Sequence, residues 1–254
     1  MQQETSRQLS LIIPAYNEVD RIGGTIGSIQ KYLDGQGYRY ELIIAADGDD
    51  GTRERVAEFA ARDPRISVLG SAQRSGKGRG VRQGVLRARG EIIGYFDADY
   101  KTPIEEIEKV MPWFEQGFDL VIGSRRLGES SVQVPQRRHR RLGSKAFGWV
   151  RSALVGLGDI RDTQCGFKFM SRQAAKEIFS RQRLDSYIFD VEVLYLARQL
   201  GYRIKEVGVQ WQDDGDTRSS PVGNSIRFVR DLMQIRLHHS RRRIAVHSRT
   251  WAMA

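Results

Sequence analysis

Two carboxylates one residue apart, Asp97 and Asp99, follow the apolar run Ile92, Ile93, Gly94, Tyr95 and Phe96. In an extended strand residues i and i+2 share a face, so at the end of such a strand the pair can converge on one ion. Paired carboxylates suit a hard divalent cation, Mg²⁺ or Mn²⁺, which also takes phosphate oxygens. The same residues also read as a turn-forming Asp-x-Asp. Behind them Thr102-Pro103 has the form of a helix start, with Thr102 as N-cap and Pro103 in the first helical position. A second chemical stretch is Gly76-Lys77-Gly78-Arg79-Gly80, where glycines let backbone approach a ligand while Lys77 or Arg79 meets a phosphate. It is not a Walker loop, since Gly78 rather than Ser or Thr follows Lys77. Nor does the dinucleotide fingerprint fit, because Pro14-Ala15-Tyr16-Asn17-Glu18 contains no glycine.

The elements that must position these groups alternate. Leu9 to Pro14 reads as a strand, followed by a helix with Ile22, Ile26, Ile29 and Leu33 at spacings of three and four. Tyr40 to Ala46 ends in Asp47-Gly48-Asp49-Asp50-Gly51-Thr52 before a second helix. Ile66 to Leu69 leads to the glycine-rich stretch and a third helix, the run before Asp97 is a fourth strand, and Leu120 to Gly123 is a fifth. This alternation implies a single α/β domain with a mostly parallel central sheet flanked by helices, ligands lying at the carboxyl ends of its strands. Tyr187 to Leu200 reads as a packed helix and Arg203 to Trp211 as an added strand. Phe167 and Phe169 read as core, and Asp190 and Glu192 have no evident role.

A formal charge of +10 over 254 residues suggests an anionic partner. The charge is local: 125–151 and 217–254 each hold eight Lys/Arg against one acidic residue, and the rest of the chain is net acidic. One cysteine, Cys165, excludes an internal disulfide and fits a reducing, cytoplasmic setting. There is no secretory signal pattern and no run of about 18 apolar residues, so any membrane contact is expected to be peripheral.

Six motifs then fall in one order: Pro14-Ala15-Tyr16-Asn17-Glu18, the Asp47–Thr52 turn, Gly76-Lys77-Gly78, Asp97-Ala98-Asp99, Gly123-Ser124-Arg125 and Asp162-Thr163-Gln164-Cys165-Gly166-Phe167-Lys168. Over about Leu9 to Trp211 the chain resembles the family 2 glycosyltransferases of GT-A fold, and within them the polyprenyl-phosphate (dolichyl-phosphate) hexose synthases. The resemblance implies a nucleotide-sugar pocket lined by Pro14, Ala15, Tyr16, Glu18, Asp47, Lys77 and Asp97. It implies metal ligation by Asp99 with Asp97, and catalytic roles for Asp97, Asp99 and Asp162, the last near the transferred sugar. Arg125, with Arg140 and Arg141 of the basic run after it, would receive the acceptor's phosphate. The family usually has an Asp pair where this chain has Ala46-Asp47, which leaves the base open.

The implied reaction moves a hexose from a UDP-glucose or GDP-mannose type donor to a polyprenyl phosphate at the cytoplasmic face of a membrane, with inversion. A phosphate monoester is already ionised at pH 7, so no general base is needed. A soluble or polysaccharide acceptor is the main competitor, and a sugar nucleotidyltransferase would use similar parts. Nucleic-acid binding would explain the charge but not the carboxylate pair. The domain is expected over 1–216 and a basic amphipathic tail over 217–254. In that tail Val222, Ile226, Val229, Met233 and Leu237 recur every three or four residues, with Phe228, Leu232 and Ile235 beside them. Such a helix could pack on the sheet, dimerise or lie on an anionic membrane, and membrane apposition is the expectation.

Overall fold

Strands buried on both faces read as continuous apolar runs, and here they form the centre of a seven-stranded sheet. The computed structural model describes residues 8–128, 130, 152–212 and 223–240, with the backbone alone for 223–226 and 240. Arg140 and Arg141, with the rest of the basic run, lie outside the described residues. The strands are β1 (Leu9–Tyr16), β2 (Tyr40–Asp47), β3 (Ile66–Leu69), β4 (Ile92–Tyr95), β5 (Leu120–Ser124), β6 (Lys168–Ser171) and β7 (Ile204–Gly208). Their order is β3-β2-β1-β4-β6-β5-β7. All pairings are parallel except those of β6, which runs antiparallel between β4 and β5. The mostly parallel α/β sheet is as expected; β6 was not foreseen as a strand.

Side chains alternate between two cores. Leu11 and Ile13 face one side with Ile22, Ile26, Ile29 and Leu33 of α1 (Val19–Gly35), joined by Ile104, Ile107 and Phe114. Ile12 faces the other, with Val81 and Val85 of α3 (Lys77–Arg87), Ile178 and Phe179 of α5 (Arg172–Arg181), and Phe189 and Val193 of α6 (Phe189–Gln199). Further helices are α2 (Thr52–Arg62), the short α4 (Met111–Glu115) and α7 (Gly223–Ser240). Thr102 is not a helix cap. Pro103 stays extended at φ −61 and ψ 147, and the segment after it is a 3-10 turn, Ile104–Lys109, without a side-chain cap.

In the stretch expected as a tail, helix α7 buries Phe228, Leu232 and Ile235 in the same core as α6. Its ends of contact are polar: His239 Nε2 lies 2.7 Å from the fully buried Glu192, and Ser186 donates to Asp231 at 2.7 Å. The other apolar stripe, Val229, Met233 and Leu237, is the exposed one.

Candidate active site at the carboxyl edge of the sheet

Six parallel strands end on one edge, and antiparallel β6 begins there, so the 162–167 segment joins the loops after β1, β2, β3, β4, β5 and β7. Two non-glycine residues adopt left-handed backbone at this edge, Asn17 at φ 54 and Tyr100 at φ 53. Such conformations cluster at functional loops.

After β4, Asp97 forms an ion pair with Lys77 of the glycine-rich stretch. Burial is the largest influence on Asp97 and opposes its charge. Lys77, Lys168 and Arg125 together outweigh it and keep the carboxyl below the usual range. Lys77 is likewise desolvated but held charged, well above the ordinary lysine value, by Asp97 and Asp190. The glycines explain the approach: a Cβ at Gly78 would stand 2.3 Å from the Leu184 carbonyl, and one at Gly166 would stand 2.2 Å from Asp97 Oδ2. Asp99 behaves oppositely. Burial and then repulsion from Asp97 push its carboxyl up, and Lys101, 3.6 Å away, compensates only in part.

That shortfall of positive charge is what a divalent ion would supply. Among the described residues no group of three or more His, Cys, Asp and Glu gathers as a ligand set. The described residues therefore offer the two carboxylates, which suits Mg²⁺ or Mn²⁺, ions that keep several waters and take substrate phosphate oxygens.

On the far side of β6, Arg125 follows β5 and grips the buried Asp162. Nε and Nη2 donate to its two oxygens at 2.7 and 2.9 Å, and the Arg125 backbone N–H donates at 3.1 Å. Burial opposes the charge of Asp162, but Arg125 holds its carboxyl far below the usual range. Asp162 thus positions Arg125. Burial lifts the Cys165 thiol to about 11, so it stays protonated and inert.

At the end of β1, Tyr16 is exposed, and the Arg74 guanidinium lies 4.3 Å from its ring centroid. Asp47 does not stand open. It accepts from the Ser71 and Ser75 backbone N–H groups at 3.2 and 2.7 Å and from the Ser75 hydroxyl at 2.6 Å, which fixes the loop that carries Arg74. Ala15 is buried in the core and pairs in register with Ala46. Pro14 pairs in register with Ala45. Glu18 starts α1 with its carbonyl, accepting from Ile22 at 2.8 Å. The structure therefore gathers Tyr16, Asp47, Lys77, Asp97, Asp99, Arg125 and Asp162 on one edge, while Pro14 and Ala15 lie within β1.

Sequence reasoning missed Arg74, Lys101, Trp211 and a buried network beneath the site. Lys168, fully buried on β6, donates to Asp190 Oδ1 and to the Cys165 carbonyl, each at 2.5 Å, while Tyr95 donates to the same Asp190 oxygen at 2.8 Å. Asp190 therefore fastens the 162–167 segment to β4. Glu192 accepts from the Arg183 and Leu184 backbone N–H groups at 3.0 and 2.8 Å, fixing the loop against which Gly76 and Gly78 pack.

A fold of this kind with a carboxylate pair after β4 can be compared with known proteins. The model for "Glycosyl transferase family 2" matches residues 10–179, well over half the chain. The chain is a family 2 glycosyltransferase. A dolichyl-phosphate beta-glucosyltransferase of Trichomonas vaginalis, ALG5A, is 34% identical over 244 residues, 91% of this chain and 73% of that protein. The human dolichyl-phosphate beta-glucosyltransferase is 30% identical over 252 residues, 92% and 76% of the two chains. Among solved structures, glucosyl-3-phosphoglycerate synthase from Mycobacterium tuberculosis, in complex with Mn²⁺, UDP and glucosyl-3-phosphoglycerate, superposes with a TM-score of 0.65. The match covers 91% of this chain and 79% of that one at 22% identity, which shows a shared GT-A fold. As a family 2 glycosyltransferase, the protein is an enzyme.

Proposed function

We propose that the enzyme moves glucose from a nucleoside diphosphate donor to a polyprenyl phosphate of the dolichyl type, in one displacement with inversion. The observation that carries this reading is the placement of Asp97 and Asp99 one strand away from an Asp162-held guanidinium. One flank suits a diphosphate and its counter-ion, the other a phosphate acceptor, and the two glucosyltransferase relatives match over nine-tenths of the chain. Tyr16, Arg74 and the loop fixed by Asp47 bound the nucleoside, and Lys77 stands where the diphosphate leaves.

Arg125 orients the acceptor, whose phosphate oxygen forms a bond to the sugar's anomeric carbon. The bond from that carbon to the diphosphate breaks, and its electron pair departs on the nucleoside diphosphate. No proton must be taken, because the acceptor is ionised at neutral pH. Mg²⁺ or Mn²⁺, held by Asp99 with Asp97 beside it, would neutralise charge on the departing diphosphate. Asp97 keeps its negative charge through Lys77. Positive charge developing on the ring is met by carboxylates already in place.

The setting is a membrane surface approached from the cytoplasm. No helix among the described residues is long and apolar enough to cross a membrane. Support for a peripheral contact is the exposed stripe Val229, Met233 and Leu237, flanked by exposed Arg227, Arg230 and Arg236.

The test is transfer by the purified chain from UDP-glucose, GDP-mannose and UDP-N-acetylglucosamine to farnesyl phosphate, with Mn²⁺ or with EDTA. UDP-glucose should give a glucosylated prenyl phosphate with Mn²⁺ only. No lipid-linked product from any donor would overturn the reading, and pyrophosphate release from a nucleoside triphosphate would replace it with nucleotidyl transfer.

A further inference from the structure

Lys168 and Asp190 are buried and ionisable, yet neither belongs to the carboxylate pair or to the Arg125 side of the site. Lys168 opens β6, Asp190 lies in the first turn of α6, and their contact at 2.5 Å ties the sheet to that helix. Two charges withdrawn from water lose hydration that a hydrophobic pair of similar volume would not, so packing alone does not call for them. The pair also reaches further than itself. Lys168 Nζ donates to the Cys165 carbonyl at 2.5 Å, and the Tyr95 hydroxyl, at the end of β4, donates to the Asp190 oxygen that Lys168 holds.

The residue after that carbonyl is Gly166, where a Cβ would stand 2.2 Å from Asp97 Oδ2, so the backbone there packs directly against the carboxylate. Earlier in the same segment, Asp162 holds Arg125 by two side-chain hydrogen bonds. Phe167 accepts from the Gly123 N–H at 2.7 Å, which ties the segment to β5 as well. One short segment thus bears on Asp97 at one point and on Arg125 at another, and Lys168 fixes it from the protein interior. A shift of Cys165 moves Gly166 relative to Asp162, and with it the spacing of Asp97 from Arg125.

We infer that Lys168 is a positioning residue for transfer: anchored by Asp190, it sets the spacing between Asp97 and Arg125 and so the approach of the two substrates. This rests on the reading that those two groups serve donor and acceptor. Rate depends steeply on such alignment, and a displacement of about 1 Å can cost about a hundredfold. Binding of each substrate by itself depends on that spacing far less. The loss is therefore expected in kcat rather than in either KM. The competing account makes the pair a filler of the core and nothing more.

Separating stability from rate tests the two accounts. Lys168→Met leaves Asp190 buried without its counter-ion and should lower both stability in urea and kcat. The double variant Lys168→Met/Asp190→Leu removes both charges and should regain stability toward the parent. Its kcat for transfer from UDP-glucose to farnesyl phosphate should stay about tenfold or more below the parent, because the Cys165 carbonyl has lost the Lys168 donor. The KM for each substrate, and calorimetric binding of UDP-glucose alone, should stay within about twofold. Ile178→Ala, which opens a cavity in the core on the same side of the sheet, is the control, and its kcat should match the parent although its stability falls. Recovery of kcat together with stability in the double variant, an equal kcat loss in Ile178→Ala, or a change confined to one KM would overturn the inference. Absence of lipid-linked product from the wild type would count against the proposed function first, and the positioning role would fall with it.

Discussion

At the scale of single residues, the motif Asp97-Ala98-Asp99 was legible because its chemistry is local: two carboxylates at a strand end. Their inequality was not legible, since it comes from Lys77, far away in sequence, and from burial. Asp99 carries the uncompensated charge, so Asp99→Asn should lower transfer about a hundredfold, roughly 2.7 kcal/mol of transition-state stabilisation. Without metal at pH 7 the variant should be at least as stable as the parent, because the charge removed is half-buried beside another carboxylate. Near-normal activity would place the ion elsewhere. Asp162 titrates the other way. Its carboxyl is lowered by Arg125, so the stabilisation from this pair is present above the ordinary value of 3.8 and is lost as pH falls below it. Asp162→Asn should therefore cost about 3 kcal/mol at pH 7, and the gap from the parent in urea unfolding should shrink as pH is lowered to 3. A gap that stays constant would mean that the pair adds no charge-linked stability.

At the scale of elements, the strand and helix alternation through β5 was readable because buried parallel strands are apolar throughout and α1 shows a clear period. β6 escaped because it is four residues long and contains a lysine, a residue almost never found fully buried unless paired. Its counter-ion Asp190, on a helix that lies after it in the chain, makes Lys168 tolerable there together with the Cys165 carbonyl. Two glycines separate the roles of these elements. Gly78→Ala drives a Cβ into the Leu184 carbonyl and Phe189, groups that cannot swing away, and should cost about 1 to 3 kcal/mol in chemical unfolding. Gly166→Ala meets the Asp97 carboxylate, which can turn. It should leave stability within about 0.5 kcal/mol while lowering kcat about tenfold or more. Equal losses of stability in both variants would show that the Gly166 contact is packing rather than aim.

At the scale of the whole molecule, spacing alone showed α7 to be amphipathic but could not say which of its two apolar stripes is inside. Burial settles that Phe228, Leu232 and Ile235 face α6, and the outer stripe is left for another surface. Leu232→Ala should cost about 2 to 5 kcal/mol. Met233→Glu with Leu237→Glu should leave the melting temperature nearly unchanged but reduce sedimentation with anionic vesicles; vesicle binding that survives would point to the basic residues alone. The position of β6 also bears on how the protein is made. Synthesis delivers β1 to β5 first, yet β5 pairs only with β6 and β7, and one side of β4 pairs only with β6. Until Lys168–Ser171 has left the ribosome, a growing chain carries unmatched apolar edges of the kind that recruit other chains. Yield in a cell is then set by how quickly the stretch between β5 and β6 is translated and folds back, a quantity that the melting temperature of the finished enzyme does not measure.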